Sequence, residues 1–353
     1  MKILITGEYQ PAYNRNQIIL KGLRKHGIDF IEFPYKKRNK KTLEVVVELA
    51  KNCDLIFLPS FTHLDVPFLK KEIQKPIIFD PLISKYMTKV FDLKTIWRFS
   101  PRAYKNFLKD KRAFKHSDLI IADTKSHKEY YCSHFGVDPD KIIIIPVGVD
   151  TEEFFPKEIP SENQGKLIVG FYGTFIPLHG IEKIILAANE LRDRQDIHFE
   201  IFGKGFLFKK ISPLAKRMKL QNIEFKGWVE YQNLNEIINK MDICLGIFGE
   251  SIKTEFVIPN KIFHYAACCK PIISRDTKAI REIFTNNEDI VLCSNSPESL
   301  AQAILTLAEK PELRKKIGEK AYKLMTENYN ELKITQPLVD SFIKLSGKNL
   351  FLI

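Results

Sequence analysis

The stretch VGVDTEEFFPKEIPSENQG, residues 147–165, followed by KLIVGFYG, 166–173, decides how this chain is organised. Pro156, Pro160 and Gly165 stand among acidic and polar residues, which is the composition of a linker. Before it, β-branched runs alternate with amphipathic segments: KILIT (2–6), DFIEF (29–33), LIFL (55–58), PIIFD (76–80), LIIA (119–122) and KIIIIP (141–146). After it the alternation starts afresh, through HFEIFG (198–203), IEFKG (223–227), ICLGIF (243–248), PIISR (271–275) and DIVLC (289–293). Strands that alternate with helices require crossovers, and so a mainly parallel sheet with helices on both faces. The expected fold is therefore α/β: two doubly wound, Rossmann-like domains facing a central cleft. Residues 1–150 form the first, 151–165 a linker and 166–330 the second, while a last helical segment, 331–353, packs back on the first domain. Ligands of such sheets bind beyond the carboxyl ends of the strands, so the loops after strands are where chemistry is sought.

Composition narrows the class. The 353 residues are 44% hydrophobic and 28% charged, as in a globular protein. No apolar run approaches the roughly 18 residues that span a bilayer. The opening MKILITGEYQ reads as a strand rather than a signal peptide, so a cytoplasmic setting is expected. Six cysteines at 53, 132, 244, 268, 269 and 293 form no C-x-x-C pair and read as reduced thiols. His264, Cys268 and Cys269 share a helix face, but no second cluster completes a four-ligand zinc site, and no metal is expected. The net charge of +12 is uneven, because residues 1–150 hold 27 Lys and Arg against 17 Asp and Glu. That imbalance suits an acidic partner, such as an anionic membrane surface or a phosphorylated acceptor, or else a merely solvated basic surface. Nucleic acid ranks last, since no helix-turn-helix, aromatic RNA platform or zinc pattern accompanies the charge. The basic excess includes the segment Lys89–Lys115, where nine Lys and Arg interleave with Trp97, Phe99, Tyr104, Phe107 and Phe114.

Several loops carry candidate chemistry. TGEYQPAYNRNQ leads from Gly7 into a helix whose start, with Arg15, suits an anion. FGKGF (202–206) supplies Gly203 and Gly205, but Phe208 stands at the third position of the dinucleotide fingerprint, which disfavours an NAD-dependent oxidoreductase. In PNKIFHYAACCKPIISRDTKAIRE (259–282), Lys261 lies in the first turn of a helix. The helix start is already positive, so a lysine there makes sense beside a bound anion. Asp80 and His63 follow strands and are candidates to orient an acceptor hydroxyl or act as base. His127 and His134 are expected on the surface of a helix.

The segment 259–282 resembles the donor-binding signature of retaining glycosyltransferases with the GT-B fold, specifically glycosyltransferase family 4, whose members show P-x-K and then E-Y-x-A-x-G-K-P. GFYGTFIPLHGIEKIILAANEL (170–191) is similar to the first strand–loop–helix of that family's donor domain. IEFKGWVEYQNLNEIINKMDICL (223–245), with Val229, resembles the stretch that holds the nucleotide base. DLIIADTKSHKEYY and KIIIIPVGVDTEEFFP look like the end of its acceptor domain. The resemblance implies transfer of a sugar, with retention of configuration and no metal or other cofactor, from a nucleotide-sugar substrate to a glycan or lipid-linked acceptor. The departures are specific. The family's paired glutamates fall at Phe256 and His264, so that His264 would have to take the ribose. Its diphosphate clamp falls at Thr174 and His179, beside Gly173. A nucleotide-sugar-binding protein without turnover and a sugar-nucleotide epimerase of the same fold are the alternatives.

Overall fold

A computed structural model describes residues 1–160 and 165–347. They fold as two compact units, one made of Met1–Val147 with the helix Glu331–Ser346, the other of Gly148–Asn330. Residues 161–164 of the expected linker and 348–353 of the expected C-terminal segment lie outside the described residues.

The first unit is a six-stranded parallel sheet of β1 (Lys2–Gly7), β2 (Asp29–Pro34), β3 (Leu55–Leu58), β4 (Ile77–Phe79), β5 (Leu119–Ala122) and β6 (Ile142–Ile144), in the order β2-β1-β3-β4-β5-β6. The central strands are fully buried, as a parallel sheet covered on both faces requires. Its helices start where the sequence supplies caps. Asn39 accepts from Thr42 N, Ser100 accepts from Ala103 N with Pro101 next in line, and Thr124 accepts from His127 N. The run expected as a strand over 141–146 stops at Ile144 because the carbonyls of Ile145 and Pro146 turn to the Arg15 guanidinium. The helix Glu331–Ser346 packs on the helix Asn14–Lys25 at Gly22, where any Cβ would lie 2.4 Å from Thr335 Oγ1. Lys25 pairs with Glu331 there, and Phe342 meets Phe57 with ring centroids 6.3 Å apart.

The second unit repeats the plan with β7 (Leu167–Tyr172), β8 (Ile197–Phe202), β9 (Ile223–Gly227), β10 (Ile243–Leu245), β11 (Ile272–Arg275) and β12 (Val291–Cys293), all parallel, in the order β12-β11-β10-β7-β8-β9. Val169, Phe171, Phe199, Ile201, Leu245 and Ile273 form the sheet side of its core. β10 ends earlier than expected because the chain leaves the sheet to run along the turn at His179, with Phe248 N donating to His179 O. Strand order reverses between β10 and β7, which is where the carboxyl ends of a doubly wound sheet open a crevice.

The segment between the two sheets is not a plain linker. Gly148–Asp150, expected in the first domain, belong to the second unit, where Val149 N donates to Tyr329 O at 3.0 Å. Phe154 is buried, Phe155 N donates to Asn235 Oδ1 at 3.2 Å, and Lys157 N donates to Asn239 Oδ1 at 2.9 Å. An aromatic anchor and two side-chain amides tie residues 149–157 to the second unit. Among the described residues no helix is long and apolar enough to cross a membrane, and the six cysteines are free.

Candidate functional site

In the second unit the crevice residues come from β7, its following loop, the turn at His179 and the helix Asn260–Ala267. Lys261 sits in the first turn of that helix, with no acidic residue beside it. Its side chain is 3% exposed, and its Nζ has no hydrogen-bond partner among the described residues. It lies 3.7 Å from the centroid of the Phe171 ring and 5.9 Å from that of Tyr172. Ring faces soften the cost of a desolvated ammonium without satisfying its three donors. Burial accordingly pushes the Lys261 amine well below the ordinary lysine value of 10.5. An anion delivered to this point would reverse that shift.

Gly173 makes the approach to Lys261 open. It has φ +150, and a Cβ there would lie 2.7 Å from Lys261 Nζ and 3.2 Å from His179 Cε1. His179 is also buried, and burial and then the charge of Lys261 hold its imidazole well below 6.5. Its Nδ1 bonds to the carbonyl of Thr174, which fixes Nδ1 as the protonated nitrogen and leaves Nε2 as an acceptor. A neutral imidazole is no phosphate clamp, but it is a neighbour that an anion at Lys261 would meet. Thr174 itself is exposed at the rim. Gly203 and Gly205 serve a different purpose from the one expected. A Cβ on Gly203 would lie 1.9 Å from Gly173 O, and one on Gly205 2.6 Å from Phe175 N. They bring the loop after β8 against the loop after β7, so what approaches them is the chain. Val229 is half-buried in the loop after β9.

The ribose role expected of His264 is corrected by its surroundings. The ring is 1% exposed, stacked on Phe154 at 3.8 Å and 12°, and nearly parallel to Tyr172 at 6.2 Å. The Tyr172 hydroxyl hydrogen-bonds His264 Nδ1 at 2.6 Å, and burial lowers the imidazole to about 3, so it is neutral. One face of the ring and one nitrogen are taken by the chain. His264 thus anchors Phe154 and the segment after β6.

The first unit corrects more of the expectation. Arg15 is fully buried: its Nε donates to Asp80 Oδ2 at 2.9 Å, Nη2 to Ile145 O at 2.9 Å and Nη1 to Pro146 O. Nothing of the guanidinium faces solvent, and the residue ties the loop after β1 to the ends of β4 and β6. Asp80 accepts from Leu82 N with its other oxygen at 2.9 Å, so both oxygens are committed and neither is placed to act as a base. His63 is wholly buried, donates Nε2–H to Ile83 O at 3.0 Å, and is lowered to about 3 by burial and then by Lys85. That low basicity and lack of access remove it as a general base. Gly7, with φ +130, lets Thr62 pack where a Cβ would lie 2.6 Å from Thr62 Cγ2, a contact between the loops after β1 and β3. His134 is exposed as expected, but His127 is fully buried and bonds through Nδ1 to Asp123 Oδ1 at 2.6 Å. Asp123 directly follows β5, the same signal that singled out Asp80 after β4, and sequence reasoning passed over it.

Metal-ligand geometry is confined, among the described residues, to His198, Glu200 and Glu224, whose ligand atoms lie within 4.8 Å of one another on β8 and β9. Lys226 already pairs with both carboxylates, at 3.2 and 2.8 Å. The helix-face trio considered above disperses instead, since Cys268 Sγ turns to Asn235 Oδ1 and His264 to Tyr172.

Comparison with known proteins places this fold. Residues 152–324 match the family described as Glycosyl transferases group 1, and residues 88–153 match Glycosyltransferase Family 4. An uncharacterized glycosyltransferase of Methanocaldococcus jannaschii is 27% identical over 62% of this chain. The match spans 57% of that relative's own length. Among solved structures, HepE of Anabaena, in complex with UDP and glucose, aligns with TM-score 0.76 and 14% identity over 98% of this chain and all of the other. A sucrose-phosphate synthase from Thermosynechococcus elongatus aligns with TM-score 0.77 and 15% identity, covering 98% and 99% of the two chains. With two six-stranded parallel sheets and both family models matched in chain order, this chain has the fold of the GT-B glycosyltransferases and resembles family 4.

Proposed function

We propose that the protein transfers a sugar from a nucleotide-sugar donor to a hydroxyl of a glycan or lipid-linked acceptor, with retention of configuration and without a required metal or other cofactor. One observation carries the reading: the Lys261 ammonium is buried at the carboxyl end of β7, in a first helical turn, without a hydrogen-bond partner among the described residues. Leaving such a group unpaired is costly, and the diphosphate of a nucleotide sugar supplies both the charge and the acceptor oxygens that would offset it. In this reading the chain's residues act by position and charge. Lys261 and the amides of the helix start receive the negative charge that grows on the diphosphate as the sugar bond breaks. Gly173 keeps that approach clear, and His179, neutral, offers Nε2 to a hydroxyl or a protonated oxygen. UDP bound to HepE makes UDP the first donor fragment to test.

The acceptor reading draws on the surface of the first unit. Trp97, Phe99 and Tyr104 are 70%, 69% and 63% exposed, amid Lys94, Arg98, Arg102 and Lys105. Asp92 and Asp110 of the same segment are buried and leave the face basic. Phe114 is buried and Phe107 half-buried, stacked at 5.0 Å on Phe135, so only three of the five aromatics noted in the sequence face outward. Cations beside exposed aromatics suit an anionic lipid interface and, with it, a lipid-linked acceptor on the cytoplasmic side.

The test is calorimetric titration of the whole chain with UDP, with and without chelator. Saturable binding that chelator leaves unchanged is expected. Binding that disappears with chelator and returns with a divalent ion overturns the metal-free part. No binding of UDP, or of the diphosphates of the other nucleosides, overturns the donor reading itself.

A further inference from the structure

Three carboxylates stand at or near the carboxyl ends of the middle strands of the first unit, and they differ in what is left of them. Asp80 is spent on Arg15 and Leu82 N. Asp110 is fully buried, accepts from Ser84 Oγ at 2.7 Å and Tyr86 N at 2.9 Å, and is raised by burial to about 6. Asp123 is different. One of its oxygens, Oδ1, is held by His127 Nδ1 at 2.6 Å, and the residue keeps 5% exposure while His127 behind it has none.

The surroundings of this pair are polar and incompletely satisfied. His127 Nε2 and Tyr131 Oη have no hydrogen-bond partner among the described residues, and both side chains are wholly buried. The rings of His127 and Tyr131 lie 4.4 Å apart. Burial, then Asp123, Asp80 and Asp110, push the Tyr131 phenol upward, so it remains a donor. Tyr13, on the loop after β1, is raised by burial, then by Asp80, with Asp123 contributing, so the Asp123 charge is felt at that loop. On the neighbouring loop after β3, Ser60 Oγ is also buried and has no hydrogen-bond partner among the described residues. Unpaired buried polar atoms are rare in folded proteins, and here they fall on the helix after β5 and the loop after β3 of one sheet. Unpaired donors and acceptors of this kind suit a polyhydroxylated molecule better than an apolar one.

We propose that Asp123 is the residue of the first unit that receives a hydroxyl of the acceptor, and that His127 is a positioning residue that holds its carboxylate. The imidazole, carried by the helix Lys125–Phe135, donates Nδ1–H to Oδ1 and holds that oxygen. Oδ2 then accepts the acceptor's O–H, a charge-assisted hydrogen bond that water at an exposed carboxylate would not hold in one direction. The assignment rests on the proposed transferase reading for the word acceptor, but the binding it describes belongs to the first unit alone.

The experiment uses the full chain, with D-glucose and myo-inositol as polyol probes followed by ligand-observed NMR, and UDP followed by calorimetry. The parent chain should bind at least one polyol. Asp123→Asn should weaken that binding about tenfold or more, as expected for loss of a charge-assisted contact, and leave UDP affinity unchanged as a check that the chain is folded. His127→Ala should weaken it comparably, and His127→Asn, whose amide can still donate to Oδ1, should restore most of it. A purely structural role for His127 would give no such rescue. Polyol affinity of Asp123→Asn equal to that of the parent overturns the assignment, as does UDP binding with no polyol binding at all. Equal loss in His127→Ala and His127→Asn overturns the positioning role. Polyol binding that needs Asp123, in a chain that binds no nucleotide, sustains the hydroxyl site and removes the donor reading instead.

Discussion

Lys261→Met is the perturbation that separates a phosphate-binding lysine from a merely buried one. Methionine keeps most of the side-chain volume against Phe171 and Tyr172 and removes only the charge and its donors. In the unliganded protein the Nζ makes a ring contact at 3.7 Å and no hydrogen bond among the described residues, so little is lost on folding. The parent should in fact carry a pH signature. Burial holds the folded-state amine well below 10.5, so between that depressed value and 10.5 the unfolded chain keeps a proton that the folded chain has shed. Parent stability should therefore rise with pH across that alkaline window, and the methionine variant should lack this rise. In the complex the balance reverses, because a diphosphate favours the ammonium. A hydrogen bond to a charged group is worth about 1.5–3 kcal/mol, so UDP affinity should fall roughly ten- to hundredfold, while uridine affinity stays near that of the parent. Calorimetry in two buffers of different ionisation enthalpy gives a second reading: binding of UDP by the parent should take up protons within the same pH window, and binding by the variant should not. Equal UDP affinity in the two proteins, or a parallel loss for uridine, would refute the phosphate role of Lys261.

Three further outcomes follow from the same geometry. His264→Ala should cost about 3 kcal/mol, since it removes a ring stacked on Phe154 and strands the Tyr172 hydroxyl, and it should weaken UDP and its 2′-deoxy counterpart equally. A selective loss for the ribose form would restore the ribose role. With its folded-state value lowered to about 3, His264 also makes the parent lose stability on acidification from 6.5 toward 3, a slope that the alanine variant should reduce in chemical denaturation. Arg15→Met should cost about 3–5 kcal/mol by leaving Asp80 buried without its cation, with UDP affinity of the folded fraction unchanged; a variant as stable as the parent contradicts the structural role. The parent should cosediment with anionic vesicles in a salt-sensitive way, and the combined Trp97→Ala, Phe99→Ala and Tyr104→Ala variant should not; equal recovery with neutral vesicles removes the electrostatic interface.

The architecture was legible because parallel strands buried on both faces announce themselves. LIFL, LIIA and KLIVGFYG have no polar face to confuse the reading, and each lies at or within a residue of the expected place. What periodicity could not give was the length of strands whose ends are shaped by distant groups. β6 stops where Arg15, 130 residues earlier, takes the next two carbonyls, and β10 stops where the chain turns to meet His179. The linker failed for a related reason. Prolines and acids over 150–160 do mark the absence of regular structure, but a single aromatic, Phe154, docked on His264, decides which unit the segment belongs to.

The site was legible only where the argument was about a conflict. A lysine in the first turn of a helix contradicts the local electrostatics, and that contradiction singles out Lys261, which is buried and has no hydrogen-bond partner among the described residues. Arg15, Asp80 and His63 raised no conflict. Asp80 and His63 are candidates because they follow strands and Arg15 because it stands at a helix start, and a residue type in the right loop does not reveal whether its atoms are already engaged. Arg15 and Asp80 answer each other across 65 residues at 2.9 Å, which is invisible to any local pattern. His264 failed in a more instructive way. Standing where the family has a glutamate invited the glutamate's role, yet a neutral imidazole can be stacked on Phe154 at almost no electrostatic cost, whereas a carboxylate there could not. The substitution therefore changes what the position can be used for, and here Phe154 stacks on the imidazole. If His264 is a packing residue, any ribose contact has to come from another group near the same helix, and restoring glutamate at 264 should disrupt the anchoring of Phe154 rather than improve nucleotide binding. A His264→Glu variant that gains UDP affinity without losing stability would show that the old role had only been covered.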